Sequence, residues 1–398
     1  MERRLRFCSR RVFLAVALLL ALGLVLAQSP FPGGTNPDGS LRPSAQLVRP
    51  FLLDAYTEYS ILAPGTEQFR VKFMPEVTRV GAKELINETR GGSEGSDIEV
   101  YDPRTGLPLK FTYEQDPKDP TTHAIHAMLP IPVPEGGIGR VLIYKTYKDP
   151  RTYIMRGDDL VWVRGLSAQR FGVILPKGYA LVSSNIASQL STTPDGRLKL
   201  SLTNPSGGGS PITIHARKTT AIFTPDETRD IIFDDIKTLY DLGSPGSHSI
   251  RVEQIYSHAT KGGNAKLLAL TYLKLQDTKV IDLDTAKSLP LGREGGAMVA
   301  KLEVPITSER QSAHLKLTGT LADPGYKIER GQLVFERSLQ GLRNTILLPA
   351  GWEVSAVSQP ATLGITGGRA FVALINLNAE NNYKVVVRAT PSKAGGAR

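Results

Sequence analysis

The stretch of residues 160–178, LVWVRGLSAQRFGVILPKG, occurs a second time at residues 333–351 as LVFERSLQGLRNTILLPAG. Aligned without a gap, the two stretches share identical residues that include Leu160, Val161, Arg164, Leu166, Leu175, Pro176 and Gly178, matched by Leu333, Val334, Arg337, Leu339, Leu348, Pro349 and Gly351. Large apolar side chains are exchanged for similar ones, since Phe335 replaces Trp162 and Trp352 replaces Tyr179. The duplication predicts two copies of one β domain.

The similarity extends over most of each copy. Asp149-Pro150 corresponds to Asp323-Pro324 upstream, and each copy closes on an alternating strand at residues 212–217 and 384–388. A repeat of this length is too long for a solenoid, which favours tandem domains. Short alternating segments between Gly-, Pro- or Asp-containing turns predict β-sandwich-like domains. We therefore expect a mainly β chain, with copy one at 50–222 and copy two at 250–390.

Residues 223–249 interrupt the β pattern between the copies. Thr224 is a cap residue, Pro225 follows it, and Glu227 comes three residues after the cap, which is a capping-box pattern. Apolar residues then recur at helical spacing, at Ile232, Ile236, Leu239 and Tyr240. This segment is predicted to form a short connecting helix that ends at Gly243, followed by a loop.

The first 27 residues have the form of a secretory signal peptide, with five Arg before or at the edge of an apolar run. Residues 28–49 are rich in Pro, Gly and Ser and are predicted to form a flexible tether, and residues 391–398 a disordered tail. These features predict a periplasmic or extracellular protein that meets the membrane only during export. The twin-arginine and general secretory routes are both compatible with the sequence.

Composition argues against several classes of function. After residues 1–27 are removed, the chain has no Cys, which excludes disulfides and Cys nucleophiles. The 48 basic and 38 acidic residues of the whole chain give a charge of +10, without a Lys/Arg block interleaved with aromatics, so nucleic acid is disfavoured. No common hydrolase or nucleotide-binding motif occurs. We expect no cofactor and no bound metal.

Six positions are candidate interaction or fold-signature residues. Asp149 and Asp323, and Arg164 and Arg337, are polar positions present in both copies. They are explained either as duplicated ligand contacts or as a turn and a packing Arg that maintain the fold. Tyr179 and Trp352 follow the Leu-Pro-x-Gly turn of each copy; carbohydrate stacking and core packing are the two alternatives.

Other polar groups are weaker candidates. Asp226, Asp230 and Asp234 are spaced for one face of the predicted helix, but one helix face supplies few converging oxygens for a cation. His123 and His126, three residues apart, would point to opposite faces of a strand. If the chain is a hydrolase of an unfamiliar type, its catalytic carboxylates are expected to include Asp158, Asp159 or Glu99.

The order of the elements gives one resemblance to a known family. The turn DPRTGLPL at residues 102–109, then LPIPVP at 129–134, a strand ending in Tyr144, and the segment Leu-Pro-Lys-Gly-Tyr at 175–179 resemble the N-terminal β domain of gluzincin-type zinc aminopeptidases. The family's catalytic HExxH helix is missing from this sequence, so the resemblance implies a β fold without the activity.

The function predicted from these observations is an exported, non-catalytic binding or structural module. Its partner would be an envelope protein or a glycan. Two alternatives stay open: an accessory or scaffold subunit of a cell-envelope complex, and an extracellular hydrolase with carboxylates between the domains.

Overall fold

The computed structural model describes residues 56–89, 93–117, 119–166, 168–203, 210–225, 230–244, 246–258, 265–271, 273–377 and 383–392. The predicted signal peptide, tether and Asp226 lie outside the described residues. Within them the chain is all β, and no helix there could span a membrane. Residues 51–398 form one compact unit.

In the first half of the chain the described residues form sixteen strands, which we call the N-terminal sandwich. They are β1 (Tyr56–Ile61), β2 (Gln68–Met74), β3 (Glu76–Val77), β4 (Glu84–Glu88), β5 (Glu94–Tyr101), β6 (Phe111–Asp116), β7 (Asp119–Met128), β8 (Gly139–Arg140), β9 (Leu142–Lys148), β10 (Tyr153–Arg156), β11 (Asp159–Leu166), β12 (Arg170–Ile174), β13 (Tyr179–Ser184), β14 (Gln189–Thr192), β15 (Leu198–Thr203) and β16 (Ser210–Lys218).

In the second half, the part of the chain that the structure describes forms fifteen strands, which we call the C-terminal sandwich. They are β17 (Ile236–Leu242), β18 (Ser249–His258), β19 (Ala265–Ala269), β20 (Gln276–Asp282), β21 (Lys287–Ser288), β22 (Leu291–Glu294), β23 (Ala297–Ile306), β24 (Ala313–Ala322), β25 (Tyr326–Glu329), β26 (Gln332–Leu339), β27 (Arg343–Leu347), β28 (Trp352–Val357), β29 (Thr362–Thr366), β30 (Arg369–Ile375) and β31 (Tyr383–Pro391).

The described strands of the two halves pair in matching orders. The large sheets have the orders β14-β15-β12-β1-β2-β9-β5 and β29-β30-β27-β17-β18-β24-β20-β21. Strand β1 pairs in parallel with β12 and antiparallel with β2. In the same way, β17 pairs in parallel with β27 and antiparallel with β18. The four-stranded sheets are β10-β11-β16-β13 and β25-β26-β31-β28, and the three-stranded sheets are β4-β7-β6 and β19-β23-β22. Strands β3 and β8 form a separate short pair.

Each core lies between the large sheet and the smaller sheets. In the N-terminal sandwich Trp162 is fully buried between the rings of Tyr59 and Phe69, at centroid distances of 5.1 and 6.1 Å. Phe335 occupies the corresponding strand of the C-terminal sandwich, also fully buried, 5.8 Å from the ring of Tyr240. Strands that alternate inward aromatic or aliphatic side chains with polar ones produce such two-layer packing.

The predicted connecting helix is wrong where the structure describes it. Residues 231–233 form a turn, and residues 236–242 form β17, a central strand of the second large sheet. Thr238, Tyr240 and Leu242 are buried at alternate positions, as expected for a strand with one face on the core. Pairing on both sides, with β18 and β27, satisfies the backbone of β17 in the sheet.

The turns predicted from the repeat are present. Gly178 and Gly351 have φ values of +77° and +79°, which favour Gly, and each turns the chain into the next strand. Pro391, the first residue of the predicted tail, is paired with Trp352 in the β28–β31 ladder. Residues 393–398 lie outside the described residues.

Candidate functional site at the interface of the two sandwiches

The structure brings each predicted Asp beside the Arg predicted with it. Asp149 is fully buried, and its Oδ2 lies 3.7 Å from Nη1 of Arg164. Ser93 donates its hydroxyl to Asp149 Oδ2 at 3.1 Å, and the backbone amide of Arg151 donates to Oδ1 at 3.2 Å. The guanidinium of Arg164 lies 4.9 Å from the ring centroid of Phe69. This pair is inside the sandwich, where a ligand has no access.

The second pair has the same design in the C-terminal sandwich. Arg337 bonds to Asp323 Oδ2, and the Asp323 carbonyl accepts the amide of Tyr326 at 3.0 Å, which closes the turn before β25. Asp323 Oδ1 also accepts the amide of Gly325 at 2.8 Å. Of the two explanations for the shared Asp and Arg, these contacts favour maintenance of the fold.

The two candidate aromatic residues pack against the cores. Tyr179 begins β13 and is 4 % exposed, and Trp352 begins β28 and is partly buried against the second core. Tyr179 is too deeply buried to stack on a sugar, so the core alternative is favoured there. Trp352 packs partly against the core and keeps part of its surface exposed.

A buried Arg joins the two sandwiches. Arg140 on β8 donates from Nε to Asp284 Oδ1 at 2.6 Å and from Nη2 to Asp284 Oδ2 at 2.5 Å. The same guanidinium donates to the hydroxyl and the carbonyl of Ser312, both at 3.1 Å. The side chains of Arg140 and Asp284 are only 3 % and 13 % exposed. A bidentate pair of this kind fixes relative orientation as well as contributing energy.

Backbone contacts cross the same boundary. The amide of Ile138 donates to the carbonyl of Leu283, and the amide of Ser312 donates to the carbonyl of Pro103, both at 2.7 Å. Pro103 belongs to the turn predicted at residues 102–109. That turn therefore packs against the C-terminal sandwich.

The next residue of that turn adds a second, more exposed ion pair. Arg104 contacts Glu303 and donates from Nε to Asp282 Oδ2 at 3.4 Å. A cavity of about 70 Å³ lies between Arg104, Arg140, Asp284 and the apolar residues near Pro134. Its volume suits one or two waters and is far below that of a typical organic-ligand site.

The segment that links the sandwiches is held by one Arg from each. Arg170 on β12 donates to the carbonyls of Ile232 and Phe233 at 3.1 and 2.9 Å. Arg343 on β27 donates from Nε to Asp235 Oδ2 at 2.8 Å, and the carboxylate is 1 % exposed. These two Arg occupy equivalent positions in the repeated stretch. Together they hold the last residues of the linker before β17, one Arg from each sandwich, and we call this contact the linker clamp.

A charged cluster lies beside this linker on β1, β2 and β15. Lys199 Nζ lies 2.5 Å from Glu58 Oε2 and 2.8 Å from Asp230 Oδ2, and Tyr56 donates its hydroxyl to Glu58 at 3.0 Å. Burial is the largest single effect and raises the pKa of Glu58, but the charges of Lys199 and Lys72 and the hydrogen bonds from Lys199 and Tyr56 together lower it to about 2. Glu58 is therefore ionised at neutral pH and unsuited to donate a proton.

The carboxylates proposed for a hydrolase are also bound by cations. Glu99 pairs with Arg70, and its pKa is lowered chiefly by the hydrogen bond from Tyr101. Asp159 accepts from Arg217 Nε at 2.6 Å, and this bond lowers its pKa. A general acid in a glycosidase has a raised pKa instead. Asp158 is exposed between β10 and β11.

The histidines and acids do not assemble a metal centre in the part of the chain that is described. His123 stacks on Tyr113 at 5.0 Å, while His126 Nδ1 lies 3.6 Å from Glu84. No group of three or more His, Cys, Asp or Glu that could hold a metal occurs among the described residues. Asp230 is bound to Lys199, and Asp234 is partly buried in the linker.

Comparison with known proteins adds little. No protein-family model matches the sequence, and no curated relative matches it. Among solved structures, an aminopeptidase N family protein from Idiomarina loihiensis is 13 % identical with a TM-score of 0.26, over 38 % of this chain and 29 % of its own length. A putative protease from Parabacteroides distasonis is 10 % identical with a TM-score of 0.24, over 85 % and 92 % of the two chains. The first fits the weak sequence resemblance to aminopeptidases; neither similarity carries a functional argument.

Proposed function

We propose that this chain is an exported, non-catalytic binding or structural module in which two copies of one β fold act as a single rigid body. The observation that carries this proposal is the buried contact of Arg140 with Asp284 and Ser312. Flexible tandem domains usually meet through small polar interfaces that allow relative motion. A buried bidentate pair, together with backbone hydrogen bonds and a clamped linker, opposes such motion.

Duplication is supported by three independent features. The large, four-stranded and three-stranded sheets of the two halves have matching strand orders. Each half has an Asp at the turn before a hairpin paired with an Arg on the second strand of that hairpin. Each half also contributes an Arg to the linker clamp. A rigid pair of repeated domains would hold two ligand-binding surfaces at a fixed spacing, and such an arrangement increases avidity without new contacts.

A second candidate function, an accessory or scaffold subunit of a cell-envelope complex, is favoured by one surface. Val80, Ile86 and Met128 are 61 %, 51 % and 41 % exposed on and beside the outer face of the β4-β7-β6 sheet. Clustered exposed apolar side chains are typical of protein-interaction surfaces. The partner in this case would be another envelope protein.

Export and partnership are tested together in the native host. The chain is produced with a C-terminal tag, the cells are fractionated after mild crosslinking, and the N-terminus of the recovered protein is determined. We expect envelope or medium fractions to contain a chain that begins near Gln28, while a control without residues 1–27 stays in the cytoplasm. A near-stoichiometric protein partner would favour the accessory subunit, and recovery alone would favour a glycan-binding module. Recovery of the uncleaved chain in the cytoplasm would contradict the proposal.

A further inference from the structure

The edge of the second large sheet is unusually open. Strand β29 (Thr362–Thr366, TLGIT) pairs with β30 on one side and, among the described residues, with no strand on the other. Leu363 and Ile365 are 55 % and 78 % exposed. Both pair with β30 residues on the core-facing side of the sheet, because Leu363 lies opposite Val372, which is fully buried. The row of apolar side chains on the core-facing side of the sheet therefore continues from β30 onto β29, where it is exposed to solvent.

This edge lacks the usual protection against pairing. Natural edge strands carry charges, Pro or bulges that prevent association. Residues 354–368 contain no charged residue, although the whole chain carries 86 Lys, Arg, Asp and Glu. The β29–β30 ladder runs from Thr362 to Thr366 without a bulge. The ring of Phe371 packs over Gly364, where an added Cβ would be 2.5 Å from it, so the strand is supported from its neighbour.

The sequence of β29 is nearly symmetric about Gly364. If two copies pair antiparallel with Gly364 on a two-fold axis, Thr362 lies opposite the Thr366 of the other copy and Leu363 opposite its Ile365. Cross-strand Thr–Thr and aliphatic pairs both stabilise antiparallel sheets. An uncharged strand also meets its own copy without electrostatic repulsion. The two-fold contact uses the same patch on both molecules, as a closed dimer requires.

We propose that β29 is a self-association edge, through which two copies of this chain join their large sheets into one continuous sheet. The equivalent strand of the N-terminal sandwich, β14, provides the matched control. It has the sequence QLST and exposes one large apolar side chain, Leu190, at 49 %. It lacks the symmetric arrangement of β29.

Sedimentation equilibrium of residues 28–398, which include the whole compact unit, tests the proposal. The mass should rise toward that of a dimer with concentration. Ile365→Lys should raise the dissociation constant at least about tenfold, which is about 1.4 kcal/mol. Leu190→Lys should leave it unchanged. Because both side chains are exposed, both variants should keep the wild-type unfolding midpoint at concentrations where the parent chain is monomeric. A monomer at all concentrations, or a dimer that only Leu190→Lys disrupts, would overturn the proposal.

Disulfide crosslinking tests the pairing register. Residues 28–398 contain no Cys, so Leu363→Cys and Ile365→Cys chains can be prepared separately and mixed. Directly opposite residues lie about 5 Å apart, whereas like-numbered residues here would be diagonal neighbours about 7–8 Å apart, beyond ordinary disulfide reach. The mixture should form the mixed disulfide faster than either chain alone forms its own. Equal rates in all three samples would contradict this register.

Discussion

Replacing Arg140 by Met tests how strongly the interface holds the two sandwiches together. The substitution leaves the carboxylate of Asp284, 13 % exposed, without its cation and removes two hydrogen bonds to Ser312. Removal of one partner from a buried ion pair costs about 3–5 kcal/mol. We expect a loss of that size in the free energy of unfolding near pH 8.

The two Trp residues make the assay specific for each sandwich. Trp162 is in the N-terminal core and Trp352 is at the start of β28, and the chain has no other Trp. In the Trp162→Phe chain the remaining Trp352 reports urea unfolding of the C-terminal sandwich by its fluorescence. In the Trp352→Phe chain the remaining Trp162 reports unfolding of the N-terminal sandwich. In the Arg140→Met background the two reporters should separate, whereas in the parent they should coincide. Arg104→Gln is the matched control at the same interface, with an expected loss of about 1 kcal/mol or less, because that pair is more exposed.

The pH dependence checks the assigned cause. Burial raises the pKa of Asp284 even though Arg140 opposes this effect, and without Arg140 the pKa should rise further. A folded-state pKa above the unfolded one means that the native state gains protons, so its stability falls as pH rises through the folded value. The cost of Arg140→Met should therefore be larger at pH 8 than at pH 5. A cost below about 1 kcal/mol at both pH values would refute the assignment of Arg140 as the main interface contact.

Three further predictions concern single sites. Burial, with a smaller contribution from Arg164, lowers the pKa of Lys145 to about 7. The free energy of unfolding should therefore rise from about pH 7 to about pH 10, because the native state releases this proton before the unfolded chain does. Lys145→Met should flatten that slope in urea titrations, and an unchanged slope would refute the prediction. Arg343→Met removes the cation bound to buried Asp235 and should cost about 3 kcal/mol in chemical denaturation, whereas a cost near zero would remove the linker clamp from the account. An added Cβ at Gly325 would collide with a backbone carbonyl of β26, so Gly325→Ala should cost about 1–3 kcal/mol in the same assay, and wild-type stability would show that the turn can relax.

The β architecture was predictable because alternation and turn chemistry are local. The segment 68–73 alternates polar and apolar residues and forms β2, and the glycines after Leu-Pro mark the turns into β13 and β28. Strand β17 was not predicted, because the apolar residues Ile236, Leu239 and Tyr240 have a spacing that fits a helix, although the segment forms a strand. Only pairing with the neighbouring strands β18 and β27, which lies outside that local pattern, decides between them.

The candidate site was predictable only in part. Asp149 and Arg164 stand out in the sequence as repeated polar positions, but nothing in their spacing indicates that they contact each other. Arg170 and Arg343 were missed, yet they are identical at the same offset within the repeated stretch, which was a usable signal. Asp284 matches Asp102 in the repeat, but the repeat does not indicate its contact with Arg140, because an interface between two copies need not use equivalent residues on each side.

A distance measurement between the two sandwiches tests most directly whether they move as one body. Spin labels are attached at Ser183→Cys on β13 and Arg251→Cys on β18, both exposed positions, and the labelled chain is diluted with unlabelled chain so that only distances within one molecule are measured. Pulsed electron spin resonance should give one narrow distance distribution, which broadens in the Arg140→Met variant. A broad or multiple distribution in the parent chain would show that the two sandwiches move relative to each other.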